Sequence, residues 1–250
     1  MQEIEIKYWV LWFNSKKKRM IPSCWMEVNA IQLIAIAEHY LGSSDEFNLL
    51  AALCGVKKKI IQRMPDFFRM KLAEAFEFIK DYKPYNTFIL KKVQQLHAPK
   101  SKLEAMSFGQ FMFADTFYND WCRHENTEDL NKIVASLYLP ENSGFSEKCI
   151  AENLVNVSKL DKKVKYAITL NYRLVKEWLC EKYPLIFERP EMDEKKKRKT
   201  GRTGNGWVTI FENIVGDDII HADNYAKLPL HTVLRFLTKK IKEHAKNKHF

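Results

Sequence analysis

Asn29-Ala30-Ile31-Gln32-Leu33-Ile34-Ala35-Ile36-Ala37-Glu38-His39-Tyr40-Leu41-Gly42 is the stretch on which the fold turns. Asn29 carries a short side-chain oxygen able to accept a backbone N–H from the first turn of a helix. Behind it Ile31, Leu33, Ile34, Ile36, Ala37 and Leu41 supply the apolar face, and Gly42 supplies a residue that tolerates the left-handed stop. The segment is a capped helix.

The same pattern returns further along the chain. Val28-Asn29-Ala30-Ile31-Gln32-Leu33 can be laid on Met106-Ser107-Phe108-Gly109-Gln110-Phe111, an offset of 78. Asn48-Leu49-Leu50-Ala51-Ala52-Leu53 then lies on Lys132-Ile133-Val134-Ala135-Ser136-Leu137, an offset of 84. Ala73-Glu74-Ala75-Phe76 has its counterpart near Thr169-Leu170-Asn171-Tyr172. Capped helix, short buried helix and long helix follow in that order twice, which predicts two similar helical lobes at 21–98 and 99–187. Internal duplication is one source of such an echo. The other is the general likeness of amphipathic helices under loose alignment.

Working outward, Ile4 to Phe13 begins with alternation and is rich in β-formers, so a strand is expected within an N-terminal β element at 1–20. Asn14-Ser15 with Lys16 to Arg19 is expected as a polar turn, with Met20-Ile21 starting a short return strand. Asp45 caps a second helix stopped by Gly55, and Pro65 opens another to Lys80. Pro84 to Pro99 reads as a small hairpin or as a short helix. Ser107, Thr127, Ser146 and Asp161 each open a further helix, the last running to about Pro184. Residues 188–206 form a charged, Gly-punctuated linker, and 207–250 a C-terminal helical segment with a basic tail. The fold class is mainly α.

Composition agrees. A 46% hydrophobic content with sixteen Phe, ten Tyr and six Trp fills a core, while only eight Gly and eight Pro argue against a turn-rich sandwich or barrel. The five cysteines are widely spaced, with no CxxC and no Cys/His cluster, so neither zinc nor a disulfide framework is indicated. No signal peptide is expected at Met1, and no apolar run reaches the roughly 18 residues of a membrane span. A reducing cytosol fits these features.

The net charge of +10 is segregated. Seven basic and three acidic residues lie between Arg189 and Asn205, and six basic and one acidic between Arg235 and Phe250, which leaves the remainder almost balanced. Lys195, Lys196, Lys197, Arg198 and Lys199, with Arg202, are the candidate nucleic-acid contacts, since adjacent cations bind phosphates by releasing counterions. No aromatics interleave them, so base stacking is not offered, and a solvated linker is the alternative. The tail lysines share a helix with Leu234, Phe236, Leu237 and Ile241, the pattern of an amphipathic helix docked with its cationic face outward.

Motifs for chemistry are missing from the sequence. Gly201-Arg202-Thr203-Gly204-Asn205-Gly206 lacks the flanking strand and the Lys-Ser/Thr of a phosphate loop, and reads as a hinge. His221 and Asp223 suggest a dyad, but no nucleophile or third ligand accompanies them. His124-Glu125 lacks the second histidine of a zinc helix. The expectation is a protein that binds, not an enzyme, with no catalytic residue, metal or cofactor.

Ile21-Pro22-Ser23-Cys24-Trp25-Met26-Glu27-Val28, Met106 to Phe111 with Ala114-Asp115, Leu130 to Tyr138, and Gly206-Trp207 through Leu228-Pro229-Leu230-His231 to Leu237 carry a resemblance. The chain resembles proteins encoded among the tail and head–tail genes of tailed bacteriophages, similar to tail assembly chaperones. That resemblance implies a helical scaffold that holds a tail or tape-measure component during virion assembly in the host cytoplasm. A virion connector is the related alternative, and a nucleic-acid-binding accessory protein the other. Typical tail chaperones are shorter and often acidic, whereas this chain is longer and basic. The faces around Trp25, Phe108, Phe111 and Trp207 are the expected partner contacts, with core packing as the alternative for each.

Overall fold

The N-terminal alternation does make strands. In the computed structural model, which describes residues 1–10, 13–141, 143–187 and 206–247, β1 (Gln2–Val10) pairs antiparallel with β2 (Phe13–Ile21), Gln2 facing Ile21 and Val10 facing Phe13. The basic run expected as a turn therefore lies in a strand. Opposite charge explains it: Lys18 meets Glu3 at 2.8 Å and Lys16 meets Glu5 at 3.4 Å on one face. On the other face Ile6 and Ile21 are buried.

Four helices follow, α1 (Ala30–Tyr40), α2 (Glu46–Cys54), α3 (Lys58–Gln62) and α4 (Asp66–Ala75). Asn29 caps α1 as its sequence predicts, and Gln32 returns the bond, each side chain accepting the other's backbone N–H at 3.0 Å. Asp45 caps α2, and Gly55 ends it with φ +61°. The helix expected from Pro65 to Lys80 stops at Ala75, and a 3-10 turn covers Glu77–Lys80. Leu33, Ile36, Leu50, Leu53 and Ile61 form the core here. Each such side chain, fully buried, contributes on the order of 1.5–3 kcal/mol.

The ambiguous stretch after Pro84 resolves as a hairpin, β3 (Lys92–Val93) with β4 (Leu96–His97), extended on the β4 side by β5 (Leu139–Pro140). Between β4 and β5 lie α5 (Phe108–His124) and α6 (Thr127–Leu137). Asn126, not Thr127, caps α6: its side-chain oxygen accepts the Glu128 N–H at 2.7 Å, as expected of the stronger capping residue. Then come α7 (Glu147–Val157), α8 (Lys162–Lys182), α9 (Gly206–Val215), α10 (Ala222–Ala226) and α11 (Leu230–Asn247). The chain is mainly helical, with a short N-terminal two-stranded sheet and C-terminal helices, the class the sequence predicts.

Two compact units emerge, and their bounds differ from 21–98 and 99–187. The first holds Met1–Tyr85 and Asp161–Leu174, the second Asn86–Leu160 and Val175–Phe250. The opening half of α8 belongs to the first unit for physical reasons: Tyr85 N–H donates to Leu174 O at 3.1 Å. The Arg173 guanidinium also lies 3.5 Å from the centre of the Tyr82 ring, and Lys163 pairs with Glu38 at 3.5 Å.

The aligned glutamines make matching bonds. Gln32 Nε2 donates to Leu53 O at the end of α2, 2.9 Å away. Gln110 Nε2 donates to Ser136 O and Leu137 O at the end of α6, at 2.9 and 3.2 Å. In both units a buried amide on a capped helix satisfies carbonyls that the next helix leaves open at its C-terminus. The third member of the echo departs, because Thr169 to Tyr172 lie on the part of α8 that belongs to the first unit.

Candidate interaction surface

The four aromatics expected as contacts are buried, and each is a core residue. Trp25 donates Nε1–H to Asp81 O at 2.8 Å and meets Phe78 edge-on at 5.8 Å. Phe108 and Phe111 are fully buried against Trp207, with ring centres 6.0 and 5.0 Å away, and Phe187 joins Phe111 and Trp207 at 6.3 and 5.7 Å. Their rings exclude water more effectively by packing edge to face than by standing outside. Lys195, Lys196, Lys197, Arg198, Lys199 and Arg202 lie outside the described residues, as do the linker around them and the glycine-punctuated hinge up to Asn205.

Below this aromatic cluster is a polar centre that sequence reasoning missed. The Asp115 carboxylate, 2% exposed, accepts Trp207 Nε1–H at 2.7 Å and pairs with Lys176 Nζ at 2.7 Å. Asn119 Nδ2 donates to it at 3.1 Å, and Lys176 also donates to Asn119 Oδ1 at 2.9 Å. Its partners come from α5, α8 and α9, and they enclose the carboxylate, so the arrangement fastens three helices. The one available signal was an acid among the apolar residues of α5, which spacing alone does not connect to Lys176 or Trp207.

The expected dyad takes another form. His221 pairs through Nδ1 with Asp218 at 2.7 Å, not with Asp223, because Asp218 stands at the N-cap of the 3-10 turn Ile219–His221, three residues before the ring. Tyr225 O–H donates to the other Asp218 oxygen at 3.1 Å, and that bond raises the phenol's pKa above its ordinary value. Asp218 and His221 are both exposed. The consequence is steric. Closed by Asp218, the turn holds Ile219 and Ile220 outward, 75% and 93% exposed.

A second surface lies on α11. Leu230, Val233 and Leu234 are buried, and His231 is held at both nitrogens, by Tyr183 O–H at 2.8 Å and by Lys102 O at 2.6 Å. From Lys239 to Asn247 every residue of the helix is exposed. Among the described residues only the first turns are covered, so the cationic helix expected to lie against a lobe extends past it. Along this part Leu237, Ile241 and Ala245 continue the apolar stripe at four-residue spacing, with Lys240 and Lys242 on its flanks.

Among the described residues there is no cluster of three His, Cys, Asp or Glu fit to hold a metal, and no helix long and apolar enough to cross a membrane. Compared with protein-family models, curated proteins and solved structures, the chain matches none.

Proposed function

We propose that this chain is a non-enzymatic virion-assembly factor, similar to the tail assembly chaperones of tailed bacteriophages, that binds another phage structural protein through apolar helical surface. The observation that carries this reading is the Ile219-Ile220 pair, which a polar clamp keeps in solvent. A contiguous aliphatic pair held outward offers roughly 1.5–3 kcal/mol per side chain to whatever covers it. The matched bonds of Gln32 and Gln110 support a companion reading, in which the capped-helix units arose by duplication.

Co-expression with the tail-tube and tape-measure proteins of the same phage tests the function. The expected result is a soluble complex with one of them, weakened at least about tenfold in the Ile219→Ser, Ile220→Ser double variant. Circular dichroism of that variant should be unchanged. A chain that retains neither protein would sink the reading. Mass spectrometry of purified particles then separates a chaperone, which is absent from them, from a connector, which stays.

The alternative of a nucleic-acid-binding accessory protein draws support from the cationic flanks of α11. It requires affinity for DNA or RNA that falls steeply between low and moderate salt.

A further inference from the structure

The first unit carries a groove of about 410 Å³ between α1, α2 and α4. Its floor is apolar, made by Leu49, Leu50, Phe76 and Ile79, all buried. Met70 stands at the lip, 66% exposed. Glu46, Glu74 and Glu77 line the rim in exposed positions, against one lysine, Lys80, which is paired with Glu77 at 2.7 Å. The groove is therefore greasy at the bottom and acidic at the edge.

The free half of α11 has the opposite charge and a similar pattern. Arg235, Lys239, Lys240, Lys242 and Lys246 outnumber the single Glu243, and at about 100° per residue Lys240 and Lys242 border the stripe of Leu237, Ile241 and Ala245 on its two sides. At about 1.5 Å per residue that stripe is roughly 12 Å long. The furrow along Arg235, Lys239, Lys242 and Lys246 is bounded by α11 alone, so it encloses nothing and is not itself a receptor.

We propose that the C-terminal half of α11 from one copy of this chain seats in the α1–α2–α4 groove of a second copy. Leu237, Ile241 and Ala245 face the apolar floor, and Lys240 and Lys242 face Glu46, Glu74 and Glu77. This is helix-in-groove recognition with charge setting the orientation. Groove and tail are different surfaces, so the contact is either exchanged reciprocally in a two-fold pair or repeated head to tail from copy to copy. It uses none of the Ile219-Ile220 surface and is independent of the partner proposed above.

Sedimentation velocity of the full chain over a concentration series tests it. The expected result is concentration-dependent association that weakens at least about tenfold between about 0.05 and 0.5 M salt, as screening shortens the reach of the charges. The double variant Lys240→Glu, Lys242→Glu should be monomeric, and so should Glu46→Lys, Glu74→Lys, Glu77→Lys. All five positions are exposed, so both variants should fold. Mixing the two should restore association, because each supplies the charge the other lost. A chain monomeric at every concentration overturns the proposal, as does association that survives in both variants. Oligomers that disappear on nuclease treatment also overturn it, since the tail then holds nucleic acid.

Discussion

A neutral imidazole donates from one nitrogen and accepts at the other, and His231 uses both. Lys102 O can only accept, so Nε2 carries the proton and Nδ1 receives the Tyr183 hydroxyl. Burial, opposed in part by the bond to Lys102 O, pushes the His231 pKa below its ordinary 6.5. The sign follows: between the lowered folded value and 6.5 the unfolded chain binds the proton more readily. The stability contributed by the neutral ring is thus complete above pH 6.5 and is lost as the pH falls through the folded value. Thermal unfolding of the wild type should show a midpoint that declines from pH 7.5 to 5.5. In His231→Phe that decline should be shallower, and an unchanged slope would remove His231 as its cause.

Helices are joined in the second unit by a few polar contacts inside an apolar core. Asp115 on α5 receives Lys176 from α8 and Trp207 from α9. Replacing it with Ala leaves an ammonium without its counter-charge and an indole N–H without an acceptor, which costs about 3–5 kcal/mol. Asp115→Asn keeps the shape and an acceptor, so it should cost less. Urea denaturation checks both, and equal losses would show that charge is not what matters there. The capped starts of α1, α2 and α5 were legible because a cap depends on neighbours within a few residues. The Asp115 contacts were not legible, since Trp207 is 92 positions away. The same distance explains why Phe108 and Phe111 read as candidate contacts: what covers them is Trp207, which no local pattern announces.

For the whole molecule, α8 is the shared element. Its opening half, with Ile168 and Tyr172 buried, belongs to the first unit, and its closing half, with Val175 and Leu179 buried, to the second. Leu174→Pro removes a helical hydrogen bond and crowds the preceding turn, at a cost of roughly 3 kcal/mol or more. Hydrogen exchange should then show lost protection in both units, in α1 and α2 as well as in α5 and α6. Loss confined to one unit would mean that the halves of α8 are held separately.

Sequence by itself determined the helical class, the N-terminal strand, most helix starts and the segregation of charge, because each rests on periodicity, capping or composition over short windows. Tertiary structure alone decided which aromatics are covered, where the units divide along α8, and that Ile219, Ile220 and the end of α11 stand in solvent. Burial is a property of what packs around a residue, and an amphipathic pattern marks a face without naming what meets it.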